Sequence, residues 1–343
     1  MNIKAVAKLA GVSTATVSRT INGTAKVSPK TEARVRHAIE ALNFYPDTNA
    51  RALGSGRSSM YGLIISDITN PFFPELIKAF EDIAVAHGRE VLIANTNYDA
   101  ERMKLCVTRM LQRRVDGVAI MTSEMDEQLV EVFSRRHTPL VFLDAGMPGP
   151  GVSSVQIDYA GGIELAMNHL LELGHERIAF ISGPLRLPPA RTRLNAFQEI
   201  QGREHLANDP WLIQEANHRV DGGREAMLRI LEATARSETK PTAVLCSNDM
   251  TAIGAMGAIH ERGMRVPEEI SVMGFDDIQL SGYTMPSLTT VNVPRAELAQ
   301  AAFRALLNAY KPGETKLYSG EKYSIGTSLV VRASTGPASG RAG

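Results

Sequence analysis

Two short apolar repeats on either side of Gly11 constrain the N-terminal part of this chain more than any other feature. The repeated apolar positions are Val6, Leu9, Ala10, Val17 and Ile21. Two short helices joined at a glycine turn would bury these side chains against each other. Ser13 stands where the N-cap of the second helix is expected. The pattern therefore predicts a helix-turn-helix.

The second predicted helix has the side chains that reading a DNA major groove requires. Thr14 and Ala15 are small enough for the helix N-terminus to approach base edges, and Arg19 follows with a long, fork-shaped donor. Pro29 is typical of a helix start, and an apolar stripe over residues 29–43 predicts a third helix that covers the first two. A generic small helical bundle with a solvated Arg19 is the alternative interpretation.

The charge is divided unevenly along the chain. Lysine and arginine total 37, as do aspartate and glutamate, so the formal net charge is zero. Residues 1–57 nevertheless carry nine basic and three acidic side chains, which leaves six excess negative charges on residues 58–343. A basic head attracts a polyanion such as DNA, and an acidic body is repelled by it. The charge favours the DNA-binding interpretation.

Composition limits the remaining classes. No apolar run reaches the length of a membrane span, and the N-terminus lacks the apolar segment of a signal peptide, so we expect a cytoplasmic protein without a membrane partner. Cys106 and Cys246 are far apart, and each lies in an apolar pattern. They are predicted to be buried thiols, not a disulfide or a metal pair. No cofactor or metal site is predicted.

From residue 60 onward, apolar strands alternate with amphipathic helices in two successive series, the second of which begins near Tyr159. This alternation predicts parallel sheets covered on both faces, and two series predict two doubly wound lobes. Ligands of open parallel sheets bind beyond the carboxyl ends of the strands, so we expect a cleft between the lobes. The predicted fold class is an all-α helix-turn-helix head followed by an α/β body.

The predicted domain boundaries follow from these patterns. They are a helix-turn-helix domain at 1–45, a hinge helix and linker at 46–58, and a body at 59–343, with an N-lobe at about 59–158 and 290–320 and a C-lobe at about 159–289 and 321–335.

Six short motifs are distributed over nearly the whole chain. They are Val12–Arg19, Asn70–Phe73, Leu170–His175, Ser247–Asp249, Gly274–Asp277 and Leu288–Val291. Together, in this order, they resemble the LacI/GalR family of bacterial transcription regulators. The resemblance implies a periplasmic-binding-protein-like body and a repressor that binds a near-palindromic double-stranded operator as a homodimer. It also implies allosteric control by a small molecule in the cleft, a sugar or sugar derivative.

The resemblance implies a set of DNA-binding residues. They are Thr14, Ala15, Thr16, Ser18, Arg19, Asn22, Ala50 and Leu53. Thr14, Ala15 and Arg19 would contact base edges, whereas Thr16 and Ser18 would contact phosphates, which position the helix without reading sequence.

Other features of the family bear on the hinge and on assembly. In the hinge helix, Leu53 would wedge into the central base step and kink the duplex. Asp47 stands where the family often has Asn. The aspartate would add a negative charge near the phosphates. The helix predicted over residues 74–87 would contribute to the dimer interface. The C-terminal tail lacks the heptads of a tetramerisation helix, so a dimer is expected.

The effector residues implied by the resemblance share polar or aromatic chemistry suited to a polyol. They are Asn70, Phe72, Phe73, Asp144, Arg193, Asn248, Asp276 and Asn292. Carboxylates accept from hydroxyls, a guanidinium donates to paired oxygens, and aromatic faces stack on a sugar ring. Structural roles are the alternative: core packing for the two phenylalanines, a helix cap for Asn248, and an Arg193–Asp276 pair in the empty cleft. His218 falls where many relatives have an aromatic residue.

Three further functional classes were weighed. An enzyme is disfavoured because the chain has no Gly-x-Ser-x-Gly elbow, no phosphate-binding Gly-x-x-x-x-Gly-Lys loop and no His-Glu-x-x-His pair. A transport binding protein is disfavoured by the missing export signal. A third alternative is a regulator that is controlled by a protein corepressor instead of a small molecule, and the sequence leaves this alternative open.

Overall fold

The computed structural model describes residues 2–22, 26–45, 58–122, 127–144, 148–234, 240–310 and 317–338. It divides into two compact units, Met1–Ser59 and Met60–Gly343, which are described separately below as the head and the body. Residues 46–57 of the predicted hinge helix and linker lie outside the described residues, and so do Ala50 and Leu53.

The described residues of the head form three helices, as predicted. They are α1 (Ile3–Ala10), α2 (Thr14–Asn22) and α3 (Pro29–Ala41). Val6, Val17 and Val35, one from each helix, are fully buried in a shared core. The predicted burial of Leu9 is wrong, since 55% of its surface is exposed. Successive helical residues turn by about 100°, so residues 6, 7 and 10 form the buried face and residue 9 lies outside it.

The N-lobe of the body is a six-stranded sheet in which every pair of neighbours is parallel. Its strands, in the order β11–β5–β4–β3–β1–β2, are Lys322–Ile325, Val152–Ile157, Leu140–Leu143, Gly117–Met121, Met60–Ile65 and Glu90–Asn95. Its helices are α4 (Phe72–Ala86), α5 (Ala100–Gln112), α6 (Glu127–Ser134) and α11 (Arg295–Asn308).

The C-lobe is a second six-stranded sheet, parallel except for one edge strand. Its strands, in the order β12–β10–β9–β8–β6–β7, are Ser328–Val330, Thr289–Asn292, Ser271–Asp276, Ala243–Cys246, Ile178–Ser182 and Ile213–Glu215. Its helices are α7 (Tyr159–Glu172), α8 (Pro188–Arg203), α9 (Val220–Thr234) and α10 (Asp249–Glu261). The α/β body with two parallel-sheet lobes is therefore confirmed.

The predicted division of the C-terminal residues between the lobes is wrong in two places. Strand β10 pairs with β9, so it belongs to the C-lobe and not to the N-lobe segment predicted at 290–320. Strand β11 pairs with β5, so it belongs to the N-lobe and not to the C-lobe segment predicted from 321. The described chain crosses between the lobes after β5, after β10 and after β11. The lobes are consequently connected by three neighbouring chain segments beside the cleft.

Candidate functional site

The second helix of the head presents the predicted base-reading residues to solvent. The Oγ of Ser13 accepts the backbone N–H of Thr16 at 3.1 Å, which caps the N-terminus of α2 as predicted. Thr14, Ala15 and Arg19 are exposed on α2, while Val17 between them is buried in the head core. The helix therefore has an inner face that holds it in the head and an outer face that is open to a partner.

Two further predicted DNA contacts lie beside this outer face. Thr16 and Ser18 are partly buried on α2. The side chain of Asn22, at the end of α2, lies outside the described residues.

The body contains a cavity between its lobes, about 630 Å³ with its open mouth included. Among the residues that line it are seven of the eight predicted effector residues: Asn70, Phe72, Phe73, Asp144, Arg193, Asn248 and Asp276. The eighth, Asn292, is not brought to the cavity, and its Nδ2 donates to Ser328 Oγ at 3.4 Å. The next residue, Val293, lines the cavity instead, because consecutive side chains of an extended segment point to opposite sides.

The predicted effector set left out further lining residues. They are Ser66, Tyr98, Met121, Thr122, Leu143, Ile157, Tyr159, Leu187, Pro189 and Val293, together with His218, which the sequence placed where many relatives have an aromatic residue. Several stand at or directly after the carboxyl ends of parallel strands, where Ser66 follows β1 and Thr122 follows β3. The rule that ligands bind at these strand ends was the available signal for them.

Asp144 is held by the segment that crosses from the N-lobe to the C-lobe. Its Oδ1 accepts the backbone N–H of Ile157 at 2.9 Å, and its Oδ2 accepts the hydroxyl of Tyr159 at 2.6 Å. Burial raises the pKa of Asp144 above its ordinary value, although these hydrogen bonds oppose the shift. Burial likewise raises the pKa of the Tyr159 phenol, which stays protonated and donates. Asp144 therefore anchors the crossover as well as lining the cavity.

Arg193 is buried between two aromatic rings. Its guanidinium carbon lies 4.2 Å from the ring centroid of Tyr159 and 4.7 Å from that of Phe275. No ion pair joins Arg193 to Asp276 in the described part of the body, which contradicts the alternative interpretation of the two residues as an ion pair. The rings stabilise the cation instead, and its Nε has no hydrogen-bond partner there. Arg193 consequently keeps donor capacity for a ligand.

Asp276 faces the same cavity at the end of β9. Burial raises its pKa to about 8, and the nearby Arg193 opposes this shift. Near neutral pH the raised pKa favours the protonated carboxyl, which can donate as well as accept a hydrogen bond.

His218 and Asn248 complete the C-lobe side. Burial lowers the pKa of His218 to about 3, so its imidazole is neutral, and its buried Nε2 has no hydrogen-bond partner among the described residues. Asn248 accepts the backbone N–H of Thr251 at 2.9 Å as the cap of α10, and its Nδ2 donates to the His218 carbonyl at 3.1 Å. The cap interpretation of Asn248 is confirmed, and the same residue also lines the cavity.

The two phenylalanines also have both predicted properties. Phe72 and Phe73 are buried in the hydrophobic core of the body, and their rings meet edge to face with centroids 5.3 Å apart. Both also line the cavity. The cleft thus combines aromatic faces with a guanidinium, two carboxyls of raised pKa and a neutral imidazole, a set that can hydrogen-bond and stack on a small polar molecule.

Comparison with known proteins identifies the family. The model of the lacI family of bacterial regulatory proteins matches residues 2–47, and the model of a periplasmic binding protein-like domain matches residues 167–335. The ribose operon repressor of Halalkalibacterium halodurans is 37% identical over 97% of this chain and 96% of its own length. The chain belongs to the lacI family. The PurR transcriptional repressor of Haemophilus influenzae strain PittEE is 35% identical to this chain. The match covers 97% of this chain and 98% of the PurR repressor.

A solved structure shares the whole architecture of this lacI-family chain. The crystal structure of the lac repressor dimer bound to operator and the anti-inducer ONPF aligns with a TM-score of 0.83 and 30% identity. The alignment covers 98% of this chain and 99% of that one. The predicted family and fold class are thereby confirmed, and the protein is a transcription regulator with a DNA-binding head. Within the described residues, no helix is both long and apolar enough to cross a membrane.

Proposed function

We propose that this lacI-family regulator is a repressor that binds a near-palindromic operator as a homodimer and changes its operator affinity when a small carbohydrate enters the cleft. One observation carries the proposal. A single chain has both the exposed reading face of α2, with Thr14, Ala15 and Arg19, and a cavity lined by Arg193 and Asp276.

The DNA side of the proposal assigns different tasks along α2. Thr14, Ala15 and Arg19 read base edges, because they are exposed on the first two turns of the helix. Thr16 and Ser18 contact phosphates and fix the register of the helix. The hinge contacts of Ala50 and Leu53, and that of Asn22, remain predictions from the sequence.

The effector side rests on the chemistry of the cleft. The unpartnered Nε of Arg193 and the protonated carboxyl of Asp276 suit the hydroxyls of a neutral sugar, and the phenylalanine rings suit its C–H faces. One relative is named for a ribose operon, which agrees with a carbohydrate. A coupling free energy of about 1–3 kcal/mol between the cleft and the operator site is typical for such control.

An apolar edge of the N-lobe supports dimerisation. Strand β2 ends the sheet, and α4 and α5 pack beside it. Val85 on α4, Ile93 on β2 and Leu105 on α5 are exposed by 66%, 41% and 58%. A second copy of the chain would cover this edge, as a symmetric dimer requires. The proposed regulator has no catalytic activity, and its proposed binding to operator DNA supports a cytoplasmic location.

The deciding experiment is selection of fragments of the source genome by the purified full-length protein near physiological salt. Enrichment of a palindrome with a pyrimidine–purine centre is the expected result, and the flanking genes would narrow the effector to one pathway. Failure to enrich any sequence would contradict the repressor assignment for the protein alone. Thermal unfolding with a panel of sugars then distinguishes a carbohydrate effector from a protein corepressor. If the effector is a carbohydrate, one of the sugars should raise the melting temperature. If the regulator depends on a protein corepressor, no sugar should raise it.

A further inference from the structure

Two side-chain contacts bridge the cleft from the C-lobe to the N-lobe. The Nη2 of Arg219 donates to Asp67 Oδ2 at 2.9 Å and to Asn97 Oδ1 at 3.0 Å. The guanidinium carbon of Arg186 lies 5.9 Å from the ring centroid of Tyr98. These contacts join the two lobes at one place.

The bridging residues are at the rim of the cavity, because they are chain neighbours of the residues that line it. Asp67 follows the lining residue Ser66, and Arg219 follows the lining residue His218. On the second bridge, Tyr98 itself lines the cavity, and Arg186 precedes another lining residue.

We propose that Arg219 and Arg186 form a mouth latch that joins the two lobes across the mouth of the cleft and selects its ligand by size. The latch admits a ligand that is small enough to be enclosed between the lobes, such as a monosaccharide. It excludes a larger ligand that would project through the mouth of the cleft. The inference rests on the proposed function only in treating this cavity as the effector site.

The N-lobe half of the latch is pre-formed. Asp67 is buried, and its Oδ1 accepts the backbone N–H and the hydroxyl of Thr69 at 2.9 and 2.7 Å. Its Oδ2 is thereby directed to Arg219. Burial acts to raise the pKa of Asp67, but the hydrogen bonds from Thr69 and Arg219 outweigh it, and the pKa lies below its ordinary value. The carboxylate is ionised and fixed in place for its partner.

The C-lobe half is fixed through its backbone. The Nη1 of Arg191 donates to the carbonyls of Leu185 and Arg186 at 2.7 and 3.0 Å, which holds the loop that carries Arg186. The side chain of Asn217 accepts the backbone N–H of Arg219 at 3.0 Å. Little chain entropy is therefore lost when either arginine reaches across the mouth.

The backbone at the rim is strained on both lobes. Asn97 and Tyr98 have φ values of 53° and 57°, and His218 has a φ of 63°. Residues other than glycine rarely adopt this left-handed conformation, and where they do the surroundings must stabilise it. The contact from Arg219 to Asn97 joins two such segments, one from each lobe. We infer that the conformation of the rim serves ligand entry.

Thiol reactivity inside the cleft tests the latch without an effector. Thr122→Cys places a reporter on the cavity wall, and the native Cys106 and Cys246 are buried, so the unsubstituted protein gives the background. The reporter is treated with methyl methanethiosulfonate, which is small, and with fluorescein maleimide, which is bulky. We expect rapid reaction of the small reagent and slow reaction of the bulky one.

Removing the latch arginines should change only the rate of reaction with the bulky fluorescein maleimide. Arg219→Ala is expected to raise the fluorescein maleimide rate by about fivefold, and adding Arg186→Ala should raise it further, with less than about a twofold change for the small reagent. Arg224→Ala is the matched control, because Arg224 pairs with Glu261 inside the C-lobe and is as exposed as Arg219. This control should leave both rates unchanged. High salt should speed the bulky reagent in the latched protein, since the bridging arginine is half exposed.

Two outcomes would overturn the latch. One is a bulky-reagent rate that Arg219→Ala does not alter, and the other is an equal acceleration of both reagents, which would indicate general loosening. Ser66→Cys, which follows the neighbouring strand β1 of the same sheet, repeats the measurement if Thr122→Cys does not fold. Because no sugar is used, failure of every carbohydrate to bind would contradict the proposed effector class and leave the latch result standing.

Discussion

Asp276 combines an unfavourable backbone conformation with an unfavourable environment for its charge. Its φ is 113°, a region that side-chain-bearing residues rarely occupy. Burial raises its pKa to about 8, and the nearby Asp249 adds to the shift while Arg193 and Arg295 oppose it. A residue that costs stability in two ways is expected where function requires it, and this one lies on the cavity wall.

Asp276→Asn should therefore remove a loss of stability that the unsubstituted protein undergoes as the pH rises. The folded-state pKa of about 8 exceeds the ordinary 3.8, so the native state binds the extra proton between these values. Stability accordingly falls with rising pH across this window, by up to about 1.4 kcal/mol per pH unit, and the neutral asparagine removes that slope. Urea unfolding followed by the single tryptophan, Trp211, at pH 5 and pH 8 measures it. Parallel pH profiles for the two proteins would contradict the assignment.

Arg19 should specify a base and not merely attract DNA. Arg19→Ala is expected to relax the preference at one base pair per half-site and to cost about 1–3 kcal/mol on the preferred operator. Arg36→Ala is the matched control, because Arg36 is an exposed cation of α3 paired with Glu32. Competition binding against operators with single substitutions distinguishes the two. Equal weakening on every operator by Arg19→Ala would mean that Arg19 contacts only phosphate.

At the scale of single elements, the turn of the helix-turn-helix depends on the backbone of Gly11. This residue ends α1 with a φ of 63°, and its N–H donates to carbonyls of the last turn. Gly11→Ala is expected to destabilise the head by about 1 kcal/mol, whereas Gly11→Asn should cost less, because asparagine tolerates this conformation. Hydrogen exchange of the amides of α1 and α2 in the full chain reports the difference. Equal exchange in the alanine and asparagine variants would exclude a conformational cause.

Elements with strong local signals were predictable, and those formed by distant pairing were not. The cap at Ser13 and the apolar strands β1 and β3 follow from local patterns. Strand β11 reads Lys-Tyr-Ser-Ile, which has little apolar character, and it becomes a strand only by pairing with β5 far away in the chain. The prediction that Asn292 lines the cavity was wrong for a related reason. A family motif does not fix which side chains at the end of a strand point into the cleft.

At the scale of the whole body, Glu75 connects the lobes on the side where the chain crosses between them. On α4 of the N-lobe, its Oε1 accepts the backbone N–H of Gln279 from the C-lobe at 2.9 Å, and its Oε2 lies 3.0 Å from Arg295 Nε. Arg295 also donates to the carbonyls of Asp276 and Asp277. We therefore expect a ligand that moves Asp276 to disturb the contact between α4 and the C-lobe.

Removing this clamp should loosen the two lobes relative to each other. Glu75→Ala leaves the Gln279 amide without its acceptor and Arg295 without its partner, so we expect faster hydrogen exchange at Gln279 and a loss of about 1–3 kcal/mol in unfolding free energy. Glu75→Gln keeps an acceptor for Gln279, so its exchange should stay slow although the ion pair is lost. Glu131→Ala, which removes an exposed N-lobe pair with Arg135, should change both quantities little. Unchanged exchange at Gln279 in Glu75→Ala would mean that the contact with Glu75 does not hold the two lobes together.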